Sequence, residues 1–277
     1  MPAILCPTCR KLIDSTEKRC PFCGQLRPGM WGFTSTLRRM GLELDFSKLI
    51  VIVCAALYIL ALLVEPGAIF RVQGMMNFLA PGRQASFWFG MTGSLLLFDY
   101  GQLGFDYGHW WTLITAIYLH GNLLHIFFNM MWVRQLGPLV EELFGPYRLF
   151  IIFTIAGITG FLLSSFSGTG FTLGASGSIF GLLAAAIVYG RRQGSTLFTR
   201  QFLQWAVILF VFGLIFPGVD NWAHLGGFIG GYATAFVFSR MGSHEGLGAY
   251  LGAGICLLLT VGAFVLQAWA MFDFYQG

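Results

Sequence analysis

Charged side chains are scarce in this sequence, since Lys, Arg, Asp and Glu make up only 10% of its 277 residues. A soluble domain carries about 25%, so a soluble protein with very large buried helices is the disfavoured alternative. Mean hydropathy is +0.72, and several apolar runs approach the ~20 residues that cross a bilayer as a helix. We expect no secretory signal peptide, because the first apolar run begins near Leu49, after a polar head. The composition predicts an all-α polytopic membrane protein.

Seven transmembrane helices are predicted from the apolar runs. They cover residues 48–64, 115–138, 147–166, 176–190, 202–217, 222–239 and 247–270. The stretch 85–98 is apolar but short, so we interpret it as an interfacial or re-entrant helix rather than an eighth span.

The distribution of positive charge tests this layout. If the N-terminus is cytoplasmic, 14 of the 16 Lys and Arg residues lie inside, and only Arg71 and Arg83 lie outside. Cytoplasmic loops of membrane proteins carry such an excess of Lys and Arg. A span at 85–98 would move the pair Arg191 and Arg192 to the far side, so the charges argue against it. The C-terminal end of the sequence is then outside the cytoplasm.

The polar head, residues 1–28, holds four of the six cysteines as two short pairs. They read Cys6-Pro-Thr-Cys9 and Cys20-Pro-Phe-Cys23. Two such pairs can place four thiolates around a tetrahedral Zn²⁺, and the spacing resembles a zinc ribbon. Because so small a segment has almost no core, a metal would supply most of its folding energy. Two disulfides are the alternative, which a reducing cytoplasm disfavours. Residues 29–47 are expected to be a linker.

Polar and ionisable residues inside spans are costly and therefore mark functional candidates. The second span carries His120, His125 and Asn129, the fourth begins at Ser176, and the sixth carries His224 near its start. In the predicted topology all three spans begin on the outer side. They therefore bring serine, histidine and amide groups to the same depth in the membrane.

Small residues recur every fourth position on the fourth and sixth spans. They are Gly177, Gly181 and Ala185 on one, and Ala223, Gly227, Gly231 and Ala235 on the other. Such stripes let two helix backbones approach closely in lipid. A contact between Ser176 and His224 is then feasible, although the stripes and Ser176 itself could serve packing alone.

The chemistry that these residues suit is acyl transfer. A histidine within reach of a serine hydroxyl can accept its proton and later return it to the leaving amine. The developing oxyanion needs fixed donors, and His125 and Asn129, one helical turn apart, could supply them together with the Ser176 backbone N–H. Asp220, four residues before His224, is a less favoured third member.

The motifs resemble those of the rhomboid proteases. The family has GxSG opening its fourth core helix, AHxxG in its sixth and HxxxN in its second. Here they read Gly174-Ala-Ser176-Gly177, Ala223-His224-Leu-Gly-Gly227 and His125-Ile-Phe-Phe-Asn129. The resemblance implies a six-helix core over residues 48–240, with one extra helix in residues 241–277. It also implies a Ser176–His224 dyad, with His125, Asn129, Gly174 and His120 in supporting roles. No catalytic cofactor is implied, and the substrates would be transmembrane proteins.

Two positions depart from the family pattern. The first loop often carries Trp-Arg, where this chain has Trp111-Thr112, and a tyrosine that often follows the serine by one turn is Phe180.

A non-proteolytic relative that binds membrane proteins is the main rival function, and a transporter or channel is a second. We expect the bilayer and membrane proteins as partners and no nucleic acid. A bacterial inner membrane is the expected location.

Overall fold

Two short strands precede nine α-helices in a computed structural model that describes residues 3–6, 9, 11–14, 19–24, 45–68, 78–93, 109–168, 170–241 and 245–276. The strands are β1 (Ala3–Leu5) and β2 (Leu12–Asp14). The helices are α1 (Phe46–Val64), α2 (Arg83–Trp88), α3 (Thr112–Thr115), α4 (Leu123–Phe144), α5 (Pro146–Ser165), α6 (Ser176–Arg192), α7 (Thr196–Ile215), α8 (Asn221–Arg240) and α9 (Leu247–Gln276). Most of the predicted linker, residues 29–44, lies outside the described residues, as does the 94–98 end of the predicted interfacial segment.

Helices lie at all seven predicted spans, and the prediction of a helical membrane protein is confirmed. In the described chain, α1, α5, α7 and α9 are long and apolar enough to cross a membrane by themselves, and α3 with α4 would add a fifth span. α6 is short, with 17 residues, but 13 of them are buried by neighbouring helices. A helix that contacts protein rather than lipid does not need a strongly apolar surface, and close packing favours small residues there.

The second predicted span is not one continuous helix. Residues 115–118 belong to α3 and the 3-10 turn Ala116–Tyr118 that continues it, and this segment makes an angle of 90° with α4. The long helix begins only at Leu123, because Asn122 is in an extended conformation and its side chain accepts a hydrogen bond from the His125 N–H at 2.7 Å. An N-cap of this kind fixes a helix start. The turn places His120 and Gly121 in a loop before α4.

α6 and α8 cross with their backbones in contact, as the small-residue stripes predict. A Cβ built on Gly227 would lie 2.1 Å from the Gly177 carbonyl oxygen, and one on Gly231 would lie 2.2 Å from the Gly181 Cα. α5 approaches α8 equally closely, since a Cβ on Gly160 would lie 2.6 Å from the Ala223 carbonyl oxygen. α5 and α6 therefore both meet α8 with almost no side chains between them.

The ninth helix packs on the outside of this centre. It contacts α5, α3 and the short α2, and it continues to Gln276, six residues beyond the predicted end of the seventh span. At the other end of the chain, β1 and β2 pair antiparallel. Cys6, Ile13 and Cys20 form a small hydrophobic cluster there, separate from the core of the helical bundle.

Candidate active site

Ser176 is the first residue of α6, at the end of a tight approach to that helix. Gly174 has φ +128°, which an L side chain rarely adopts, and its N–H donates to the Ala116 carbonyl oxygen at 2.8 Å. The first N–H groups of a helix have no intrahelical acceptor and carry the positive end of the helix dipole. The Ser176 hydroxyl is therefore placed beside backbone donors that suit a developing negative charge.

His224 lies in the first turn of α8 and is almost fully buried. Its ring stacks on Phe180, with centroids 4.3 Å apart and an interplanar angle of 17°. Phe180 is one helical turn after Ser176, so both side chains leave the same face of α6. The His224 imidazole is thus held beside the face that carries Ser176. The described part of the chain records no hydrogen bond between the two side chains, and serine–histidine pairs are often longer without substrate.

Asn221 orients the His224 ring, a role that sequence reasoning did not assign. Its Oδ1 lies 3.0 Å from His224 Nδ1. Because an amide oxygen only accepts, this contact is a hydrogen bond in the tautomer with the proton on Nδ1, and in that tautomer Nε2 has a lone pair that can accept a proton from a hydroxyl. The only signal in the sequence was the spacing, since Asn221 precedes His224 by three residues and so lies one turn away on the same side.

Asp220, the candidate third member, is occupied elsewhere. Its Oδ1 accepts from the backbone N–H groups of Trp222 and Ala223, at 3.1 and 3.0 Å, which caps α8. Its Oδ2 accepts a hydrogen bond from the Ser164 hydroxyl. The carboxylate thus fixes the start of α8 and ties it to α5.

His125 lies directly against the turn that leads to Ser176. A Cβ on Gly174 would be 2.7 Å from His125 Nε2, so only glycine leaves room for the ring. The Gly121 N–H donates to His125 Nδ1 at 3.3 Å, so in the neutral ring the proton is on Nε2. A donor therefore faces the Gly174 turn. The structure brings His125 and Gly174 together.

Asn129 and His120 are less directly engaged. Asn129 Nδ2 donates to the His125 carbonyl oxygen of its own helix at 2.8 Å, and the residue is 6% exposed. The His120 ring lies 5.1 Å from that of His125, and within the described chain neither of its ring nitrogens has a hydrogen-bond partner. The oxyanion role of Asn129 stays a prediction, and so does the supporting role of His120.

Comparison with known proteins fits this geometry. Residues 107–241 match the family model described as the Rhomboid domain. The chain contains a rhomboid domain. Over 134 residues it is 37% identical to "RHOMBOID-like protein 1" of Arabidopsis thaliana, a match covering 46% of this chain and 34% of that protein. Over 132 residues it is 35% identical to "Rhomboid protease GluP" of Bacillus subtilis (strain 168), covering 46% of this chain and 26% of that protein. The matches to these two relatives span about a third of their length or less.

The rhomboid domain includes every residue of the candidate site and excludes both ends of the chain. Ser176, His224, His125 and Asn221 all lie between residues 107 and 241. The cysteine head, α1 and α9 lie outside the match. In the structure, α1 contacts α4 of the rhomboid domain, and α9 contacts α5.

The four cysteines of the head converge, as their spacing predicts. Their Sγ atoms all lie within 4.8 Å of one another. The Cys6–Cys23 and Cys9–Cys20 pairs are 3.5 and 3.6 Å apart, far beyond the ~2.0 Å of a disulfide. Burial would raise the pKa of the Cys20 thiol, but hydrogen bonds with the backbone of Phe22 and Cys23 lower it from 9.0 to about 7. These four cysteines could hold a metal ion.

Proposed function

We propose that this chain is an intramembrane serine endopeptidase that cleaves peptide bonds in or near transmembrane segments with Ser176 and His224. The stacking of the His224 ring on Phe180, one turn after Ser176, is the observation that carries the proposal. It is supported by the rhomboid domain and by the relative of Bacillus subtilis whose name describes a rhomboid protease. A non-proteolytic binder would not need a histidine whose free nitrogen is held beside a serine at a helix N-terminus.

The reaction follows from the geometry. The Ser176 oxygen attacks the substrate carbonyl carbon while His224 Nε2 accepts the hydroxyl proton. The carbonyl oxygen becomes negative and is stabilised by the N–H groups that open α6 and by the His125 Nε2–H. His224 then gives its proton to the leaving amine as the C–N bond breaks. Water hydrolyses the ester left on Ser176, with His224 again accepting the proton.

Substrate and location are part of the same proposal. The substrates would be transmembrane proteins, reached from the bilayer at the depth where α6 and α8 begin. We place the N-terminus in the cytoplasm and the protein in a bacterial inner membrane, on the Lys and Arg asymmetry described above. The site would then face the side opposite the cytoplasm, where water can reach it.

We further propose that Cys6, Cys9, Cys20 and Cys23 bind one structural Zn²⁺. A tetrahedral zinc with Zn–S bonds of about 2.3 Å requires sulfur pairs about 3.8 Å apart. The two measured pairs, 3.5 and 3.6 Å, are near this value. With four thiolates as ligands, the metal would stabilise the head and leave no open position for catalysis.

Cleavage of a single-span reporter by the purified full chain in liposomes tests the function. Ser176→Ala and His224→Ala should each abolish cutting. Ser178→Ala is the matched control, because this serine is two residues further along α6 and its hydroxyl donates to the Phe153 carbonyl oxygen. The control should still cut. Cutting by Ser176→Ala would refute the mechanism. A folded wild type that binds but never cuts the reporter or a panel of natural membrane proteins would favour the non-proteolytic rival.

A further inference from the structure

A buried glutamine on α9 makes three hydrogen bonds to residues 156 to 180 positions earlier in the chain. Gln267 is 2% exposed. Its Oε1 accepts from the Trp111 indole N–H at 2.9 Å, and its Nε2 donates to the carbonyl oxygens of Phe87 and Trp88 at 3.1 and 3.3 Å. Both N–H groups of the amide donate and its oxygen accepts once, so only one oxygen lone pair makes no hydrogen bond. An unpaired amide here would be costly, because neighbouring lipid and protein offer no substitute for water.

The three partners lie in two segments. Phe87 and Trp88 end α2, which the loop segment with Gly90 and Thr92 continues, and Trp111 begins the turn of α3. The two are also joined to each other, since the Thr115 hydroxyl donates to the Gly90 carbonyl oxygen at 2.6 Å. Gly90 has φ +88°, and a Cβ there would lie 2.4 Å from Thr115 Oγ1 and 3.1 Å from the Gln267 side-chain amide carbon. Gln267, Gly90 and Thr115 are therefore packed against one another with no space to spare.

The same loop segment and α3 hold the residues just before Ser176. Thr92 and Thr172 exchange both backbone hydrogen bonds, at 3.1 and 2.9 Å. The Ala116 carbonyl oxygen, on the turn that continues α3, accepts from the Gly174 N–H. Thr172 and Gly174 are the two ends of the segment 172–174 that leads to Ser176. Each is thus hydrogen-bonded to a segment that Gln267 anchors.

We infer that Gln267 is a positioning residue for the Ser176 site, which α9 stabilises from outside the rhomboid domain. This inference rests on the proposed function and deepens it. The chain has Trp111-Thr112 in the first loop where the family often has Trp-Arg, and here the Trp111 N–H is bound by α9 instead. The seventh span is then a working part of the catalytic unit. Loss of the Gln267 hydrogen bonds would let the segment 172–174 shift, and this shift would misplace the Ser176 oxygen.

The test compares Gln267→Leu, which keeps the volume but loses the amide, with Thr260→Val. Thr260 is also buried on α9, and its hydroxyl donates to the Cys256 carbonyl oxygen of its own helix. We expect Gln267→Leu to lower kcat on the reporter about tenfold or more, since small misplacements near reacting atoms can cost up to about 10²-fold. KM should stay within about twofold, and Thr260→Val should match the wild type. Unchanged kcat in folded Gln267→Leu would overturn the inference.

Gln267→Glu gives a readout that a purely structural role would not produce. The new carboxylate can still accept from Trp111 but cannot donate to the loop carbonyls. When it is protonated at low pH, one donor returns, so the kcat ratio of variant to wild type should rise as pH falls. A kcat ratio that does not change with pH would contradict the positioning role of Gln267. If Gln267→Leu does not fold, Trp111→Phe removes one hydrogen bond with less disruption and should also lower kcat.

Hydrogen exchange separates failure of this inference from failure of the proposed function. Gln267→Leu should speed exchange at the Thr92 and Gly174 amides at least tenfold relative to Thr260→Val, whether or not the protein cuts any reporter. If the wild type cuts nothing but this difference is found, the proposed function fails while the anchor stands. If the wild type cuts and exchange is unchanged, the anchor fails alone.

Discussion

Gly227→Ala should separate the two helices that carry the proposed dyad. The added Cβ would lie 2.1 Å from the Gly177 carbonyl oxygen and 2.8 Å from the Gly177 Cα, and both are backbone atoms that cannot rotate away. Ordinary van der Waals contact begins at 3.4 Å, so the gap must open by about 1.3 Å along that direction. Gly177 adjoins Ser176, and Gly227 is one turn from His224.

The expected loss of activity follows from that displacement. A misplacement of about 1 Å at reacting groups can cost about 10²-fold in rate, so kcat/KM on the single-span reporter should fall by about that factor. Forcing an extra methyl into a filled contact also destabilises by about 1–3 kcal/mol, which a thermal unfolding curve in detergent would record. Phe180 should lose part of its stacking on His224 as the helices separate.

Two further alanine variants control this prediction. Gly231→Ala makes an equal clash, 2.2 Å from the Gly181 Cα, but one turn further from the site. It should lower stability by a similar amount but lower kcat/KM by a smaller factor. A Cβ on Gly254 of α9 would meet nothing within 4 Å. Gly254→Ala should therefore leave kcat/KM unchanged, and it should leave stability unchanged or raise it slightly. If Gly227→Ala is folded and cuts as fast as the wild type, the close crossing does not position the dyad.

Four other changes have definite expected outcomes. Asn221→Val removes the acceptor for His224 Nδ1 and should lower kcat about tenfold or more through the wrong tautomer, whereas Asp220→Asn should keep its activity and lose stability. Burial raises the pKa of Glu245 from 4.5 to about 7, against the opposing effect of Arg148. Folding stability should therefore fall as pH rises from 4.5 to 7, and Glu245→Gln should raise the Tm at pH 8 but not at pH 4.5. A strong chelator should release one Zn²⁺ per chain, measured by elemental analysis, and should expose Cys20 to thiol reagents.

Three of these predictions have a definite contrary outcome. Equal kcat for Asn221→Val and the wild type would remove the amide from the mechanism. The same Tm difference between Glu245→Gln and the wild type at both pH values would mean that this carboxyl does not titrate between them. Purified protein that holds no zinc under reducing conditions would leave the head without its proposed metal.

Much of the architecture could be predicted because it follows from local periodicity. The glycine and alanine stripes of α6 and α8 recur at one helical turn, so the sequence alone indicates which faces meet. The convergence of Cys6, Cys9, Cys20 and Cys23 could likewise be predicted from their spacing and from ligand chemistry. The break before α4 was missed because apolar residues run on through 113–119, and only Gly121 and Asn122 indicate that the helix starts later.

The anchoring contacts could not be predicted in the same way. Gln267 contacts residues 156 to 180 positions away, and no periodic pattern relates α9 to the first loop. The available signal was a lone glutamine in an apolar span, which is costly unless paired. Asn221 was missed for a different reason, because only the neighbouring carboxylate Asp220 was considered from the sequence as a partner for His224, whereas in the structure Asp220 caps the helix.

The uneven burial of the helices has an evolutionary consequence. α7 buries only Phe202, Ala206 and Gly213 of its 20 residues, whereas α6 buries 13 of 17. Among descendants of this chain, most positions of α7 can drift freely among apolar residues of any shape, because lipid adapts to each. α6 can accept almost no change, since every new atom meets another helix. Sequence change among such descendants would therefore accumulate sooner on α7 than on α6.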